Sequence, residues 1–126
     1  VDEGFFPQQV AIDAYGNGGF RFAGLSHRGG LLCLPQGMRA WAAVGPADIT
    51  MDSLAPVFAA AADIEVLLVG LGKEIAGFDA DLRAALRARG IVVEAIATGG
   101  AVRTYNILLA EDRAVAAALL AVDSAK

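Results

Sequence analysis

The sequence predicts an α/β fold, and three observations carry that prediction. The run Val66-Leu-Leu-Val69 is wholly apolar, the pattern of a parallel strand buried on both faces. A glycine turn at Gly70 and Gly72 follows, then a helical segment from Asp79 to Gly90, then the apolar stretch Ile91 to Ile96. Strand, turn, helix and strand in that order make a βαβ unit. Before Gly45 the chain instead alternates short aromatic or apolar runs with glycine turns, as an antiparallel meander does. The expected architecture is a single three-layer domain over residues 1–126, mostly β in 1–44 and α/β in 45–126. In it an antiparallel β-meander packs with a βαβ-type mixed sheet and C-terminal helices.

Composition sets the outer limits. A chain of 126 residues is long enough for one real core. Hydrophobic residues make up 56% of it, which excludes intrinsic disorder; many are alanines, which suit tightly packed helices. Apolar runs such as Ala114 to Val122 are too short to cross a bilayer. No basic stretch leads into an apolar one at the start, so no signal peptide is expected, although a chain beginning at Val1 leaves a leader open. A single cysteine, Cys33, permits no internal disulfide and fits a reducing compartment. The net charge of −4 argues against a nucleic-acid partner.

The elements can be taken in order. Val1 to Pro7 reads as a loose leader. Gln9 to Tyr15 reads as a strand, Gly16-Asn-Gly-Gly19 as a hairpin connection, and Phe20-Arg-Phe22 as the returning strand. Ser26-His-Arg-Gly-Gly30 reads as a second turn. Leu31 to Leu34 is a short buried strand ended by Pro35, and Met38 to Val44 is another strand or edge segment. Gly45-Pro46 marks the change of class. Thr50 or Asp52 can cap a helix from Ser53 to Ala62, with Pro56 tolerated in its first turn. Asp79 caps the next helix, Arg87 and Arg89 suit its C-terminal end, and Gly90 is the residue that ends it. After Thr98-Gly-Gly100, the positions Tyr105, Leu108, Leu109, Val115, Ala116, Leu119 and Leu120 follow helical spacing with a break at Asp112. That pattern is read as one bent helix or two helices meeting near Ala110 to Asp112.

Residue chemistry alone names no reaction, and no catalytic residue, metal ligand or cofactor is expected. Gly70-Leu-Gly72 after a strand invites a dinucleotide reading. The fingerprint, however, needs glycine or alanine where Ile75 stands, and the helix starts too late; Glu94 alone does not restore it. His27 sits in a glycine-rich stretch with no orienting partner, and Cys33 lies between leucines, where a buried, inert thiol is the ordinary case. The least ordinary stretch is Thr98 to Asn106. Helix-start amides near Arg103 could hold an anion. Equally, Thr98 could cap the helix, Arg103 could pair with Glu111, and Asn106 could bond local backbone.

At Thr98-x-x-Ala-x-Arg-Thr-Tyr-Asn-x-Leu-x-x-Glu-x-Arg113 the sequence resembles a known family. The resemblance extends through Tyr15-Gly-x-Gly-Gly-Phe-Arg-Phe-x-Gly24, Leu34-Pro35, Trp41 and Leu68-Val-Gly-x-Gly72, in order over nearly the whole chain. The family is the small domain of unknown function that includes the mitochondrial respiratory complex I assembly factor 3, an adipogenesis-associated cytosolic protein and many bacterial and archaeal members. The compact form here is similar to the bacterial ones. The resemblance implies a β-meander packed on an α/β sheet, no established activity or cofactor, and, for the mitochondrial branch, help in assembling NADH:ubiquinone oxidoreductase through protein partners. The leading expectation is therefore a non-enzymatic, cytoplasmic interaction protein, peripheral to the inner membrane through partners such as respiratory-complex subunits or assembly factors. An exposed apolar patch near the meander or Trp41 would serve it. The alternative is a small-ligand or anion-binding protein using Gly70, Gly72, Thr98, Arg103 and Asn106, with Tyr105, Glu111 and Arg113 as structural positions of the same pattern.

Overall fold

The computed structural model describes residues 5–73 and 77–123. In chain order the strands are β1 (Phe5–Phe6), β2 (Ala14–Gly16), β3 (Gly19–Phe22), β4 (Leu25–Arg28), β5 (Gly30–Leu34), β6 (Gly37–Trp41), β7 (Val66–Gly70), β8 (Val92–Ile96) and β9 (Val115–Leu119). The helices are α1 (Ala55–Ala59), α2 (Ala80–Arg87) and α3 (Thr98–Ala110), with single 3-10 turns at Pro46–Asp48 and Ala61–Asp63. A six-stranded sheet runs in the order β1-β6-β5-β9-β7-β8, and β2, β3 and β4 form a separate three-stranded sheet. The α/β class is as expected, with β7 and β8 parallel in one βαβ unit, Val66 opposite Val92.

The chief departure lies at the C-terminus. Val115–Leu119 is not helical: it is a strand near the middle of the sheet, parallel to β7 and antiparallel to β5. Every residue from Val115 to Leu120 is buried. A strand covered on both faces has no polar alternation, so its apolar positions fit a helical template as well as a strand. The break expected at Asp112 is real, but it is where α3 ends: Asp112 takes φ 60°, and the chain turns into β9.

The meander is also divided. The turn after β3 falls at Ala23 and Gly24, with φ 50° and 75°, and Ser26, His27 and Arg28 lie in strand β4 rather than in a turn. The hairpin at Asn17 and Gly18 is where it was expected, both residues having positive φ. Its tip is fastened to the segment that follows β9, since the Asn17 and Gly18 amides donate to the Asp123 and Val122 carbonyls. Of the strand expected over Gln9 to Tyr15, only Ala14 and Tyr15 lie in a paired strand, and the supposed loose leader contributes β1 against β6.

Two apolar layers cover the main sheet. On one face Leu67, Val69, Ala116, Ala118 and Leu120 meet Leu54 and Val57 of the α1 region and Leu82 and Leu86 of α2. On the other, Leu68, Ala117 and Leu119 meet Ala101, Val102 and Tyr105 of α3, beside Phe20 and Phe22 from the small sheet. Helix α2 begins as expected: the Asp79 carboxylate accepts from the Leu82 amide at 2.8 Å. Helix α1 is shorter than expected, because Thr50 and Ser53 exchange side-chain to backbone bonds in a turn before it. An exposed apolar patch was expected near the meander or Trp41; Trp41 itself is 5% exposed, and its indole donates to the Ser53 carbonyl.

Asp48 gives the fold one acid-sensitive contact. Its carboxylate accepts from the Val44 and Gly45 amides, and these bonds hold it below the ordinary aspartate value of 3.8. A lowered folded-state pKa contributes stability that is complete above the unfolded value and fades as pH falls through the folded one. Asp48→Asn is therefore expected to melt below the parent at pH 6. The difference should shrink on titration from pH 5 to pH 2, as read by thermal melts across that range.

Candidate functional site

The end of β7 and the start of α3 meet closely. Gly70 lacks a Cβ for a spatial reason: one placed there would lie 2.9 Å from Thr98 Oγ1 and 3.0 Å from Leu119 Cδ2. Gly72, at φ +92°, then turns the chain so that its amide donates to Thr98 Oγ1 at 3.0 Å. The same hydroxyl donates to the Leu120 carbonyl at 2.8 Å, and the Thr98 amide donates to the Gly72 carbonyl at 2.9 Å. Thr98, fully buried, is therefore a cross-link between the β7 turn and the end of β9. It is not the helix cap; that position is Ala97, in extended conformation.

The structure thus brings Gly70, Gly72 and Thr98 together, and their polar groups satisfy one another. Arg103 stands apart and exposed on α3. Its Nη1 lies 3.7 Å from where a Gly99 Cβ would be, and its Nη2 lies 4.0 Å from the corresponding point at Gly100, so the guanidinium folds back over the first helical turn. The Tyr15 hydroxyl packs directly on Gly99, which explains the absence of a side chain there. No Arg103–Glu111 ion pair exists among the described residues. Arg113 instead pairs with Glu65 at 3.8 Å, an exposed contact worth well under about 1 kcal/mol.

Tyr105 and Asn106 hold a distant segment. The Asn106 amide group donates to the Ile12 carbonyl and accepts from the Ile12 amide, both at 2.8 Å. Tyr105 is fully buried, and its hydroxyl donates to the Val10 carbonyl at 2.7 Å. Gln9 adds a bond to the Val115 carbonyl. Residues 9–12 lack ladder pairing of their own, the Asp13 amide being the first to bond to β3 at the Arg21 carbonyl, so side chains from α3 stand in for a strand partner. Asn106→Ala leaves both Ile12 groups without that partner and is expected to cost about 1–2 kcal/mol. Chemical denaturation reads this directly, and hydrogen exchange should accelerate first at Ile12.

The remaining expectations fall out simply. His27 is half-buried on β4, with Nε2 2.8 Å from the Gly30 carbonyl. Cys33 is fully buried, and burial pushes its thiol far above the ordinary range, away from reactivity. Glu94 is exposed on β8. Ile75 lies outside the described residues. Among the described residues no three His, Cys, Asp or Glu side chains gather as a metal site would require.

One feature was not anticipated from the sequence. A groove of about 830 Å³ runs between the 46–51 segment and α2, with Ile49, Leu71 and Leu82 buried along it. Met51, 54% exposed, stands on its wall, and Val44, 82% exposed, lies just before the segment. The available signal was Ile49-Thr-Met51, an apolar pair outside any strand or regular helix.

Comparison with known proteins places the chain. Residues 12–120 match the family described as Protein of unknown function (DUF498/DUF598). The chain belongs to that family. An uncharacterized protein from Rhodobacter capsulatus is 40% identical over 95% of this chain and 91% of its own length. NADH dehydrogenase [ubiquinone] 1 alpha subcomplex assembly factor 3 of Mus musculus is 36% identical over 91% of this chain, which spans only 62% of the mouse protein. A crystal structure described as an outer membrane protein from Bartonella henselae superposes with a TM-score of 0.89 at 49% identity, covering 93% of this chain and 98% of that one. No helix among the described residues is long and apolar enough to cross a membrane. In this member of the DUF498/DUF598 family, then, Thr98, Tyr105 and Asn106 hold the architecture together.

Proposed function

We propose that the chain is a non-enzymatic interaction protein that helps assemble a respiratory NADH:quinone oxidoreductase through protein partners. The observation that carries this reading is the 36% identity to the mouse assembly factor across 91% of the chain. The structure supports it by the way its polar groups are used. Thr98, Tyr105 and Asn106 are engaged in internal hydrogen bonds, while an apolar groove lies open at the surface. On this reading the protein works in the bacterial cytoplasm, at the inner membrane through its partners. Deleting the gene in the source organism is expected to lower NADH:quinone reductase activity and leave the complex missing or stalled on native gels, with recovery on re-expression. Normal activity with normal assembly overturns the reading.

Arg103 favours a second reading. Its guanidinium lies over the Gly99-Gly100 turn with no ion pair among the described residues, an arrangement suited to an anion held by Arg103 at the first turn of α3, beside the Gly70, Gly72 and Thr98 cluster and Asn106, whose own polar groups are engaged. Calorimetric titration with phosphate and with small carboxylates tests it. Binding abolished in a folded Arg103→Ala variant supports it, and no heat from either anion removes it.

A further inference from the structure

We infer that the groove between the 46–51 segment and α2 seats a basic amphipathic helix of a protein partner; this rests on the reading of the chain as an interaction protein. The interior of the groove presents carbon. Ile49, Leu71 and Leu82 lie along its buried side, and Met51, Phe78 and Ala85 leave apolar surface exposed. Two of the three polar side chains in the wall are already used: Thr50 Oγ1 accepts from the Ser53 amide, and Asp79 Oδ2 accepts from the Leu82 amide, which leaves the exposed Asp81 carboxylate as the third. Small-molecule sites instead aim a few polar groups at their ligand. A groove that offers apolar surface without such groups suits side chains arriving at i, i+3, i+4 and i+7 on one helix face.

Charge selects the helix. Asp79 and Asp81 belong to the lining, while Asp48 and Asp52 adjoin lining residues of the other wall, and all four are exposed. Arg83, between the lining residues Leu82 and Ala85, is turned aside: its guanidinium sits 5.3 Å over the Phe78 ring and donates to the Val93 carbonyl. An apolar cleft rimmed by aspartates attracts a helix flanked by lysine or arginine. It repels anionic lipid and a second copy of this net-negative chain.

The test uses the full chain and two fluorescein-labelled 18-residue peptides. Both carry leucines at i, i+3, i+4 and i+7; one has lysines on the flanks and the other glutamates. Fluorescence anisotropy is expected to show the lysine peptide binding at least tenfold tighter than the glutamate peptide, with weakening in 0.5 M salt as exposed charges are screened. Met51→Arg, at an exposed position, should weaken it at least tenfold, and Asp81→Lys about threefold. Leu25→Arg, on the small sheet, should leave it unchanged. Equal binding of both peptides, no binding, or an equal loss with Leu25→Arg overturns the inference. So does a dimer in sedimentation equilibrium, or adsorption to phosphatidylglycerol vesicles, that Met51→Arg abolishes. The two readings fail separately. A deletion strain with normal respiratory assembly removes the proposed function while selective peptide binding stands. Full complementation by Met51→Arg in a strain that shows the defect removes the groove and leaves the function.

Discussion

Thr98→Val is expected to destabilise the protein by about 2–4 kcal/mol although it changes almost nothing in shape. Valine fills the same buried space but cannot accept from the Gly72 amide or donate to the Leu120 carbonyl. Each buried backbone group left without its partner costs about 1–3 kcal/mol. Gly72 is only partly buried, so water can reach its amide and the total falls below the sum of two full penalties. In a thermal melt the loss corresponds to roughly 10 °C for a chain of this size. Thr98→Ser is the control: it keeps both bonds, loses one methyl group, and should cost only about 1 kcal/mol. Equal losses for the two variants would show that Thr98 acts by packing alone.

Thr98 also shows what a sequence can and cannot disclose. A threonine before Gly-Gly at a helix start reads as a cap, because capping is the local use of such a residue. Its actual partners, Gly72 and Leu120, lie 26 and 22 residues away, and no local pattern encodes them. Asn106 repeats the lesson at greater range, since its partner Ile12 is 94 residues distant. The β7–α2–β8 unit was legible because its signals are local: an apolar run, Asp79 as a cap and Gly90 at φ +83°. The turn between β3 and β4 was hidden because Ala23 takes the left-handed conformation that asparagine or glycine usually announces. Ser26 to Gly30 carries the louder turn composition, yet most of it pairs with β3. The neighbourhood of Trp41 was named for an exposed patch, but pairing with Gly30 on β5 and the bond from its indole to the Ser53 carbonyl keep Trp41 itself in the core.

Ala117→Leu tests the largest of these corrections and should cost about 3 kcal/mol, with loss of soluble expression as the extreme result. Ala117 has no exposed surface and pairs with Cys33 on β5 and Leu68 on β7. Its methyl group faces the layer where α3 packs, among Ala101, Val102 and Tyr105. Alanines at 116, 117 and 118 keep β9 thin on both faces, so helices can approach the sheet on either side. Extra side-chain volume there displaces α3 or the neighbouring strands, and overpacking of this kind typically costs about 1–3 kcal/mol, occasionally more. The same substitution distinguishes a strand from the amphipathic helix that the spacing suggested. On a helix carrying Val115, Ala116, Leu119 and Leu120 inward, position 117 would point toward solvent, and leucine would be tolerated with little change. Chemical denaturation of Ala117→Leu beside Ala110→Leu, an exposed position at the end of α3, separates the outcomes. A severe loss at 117 with a mild one at 110 is the signature of a buried central strand.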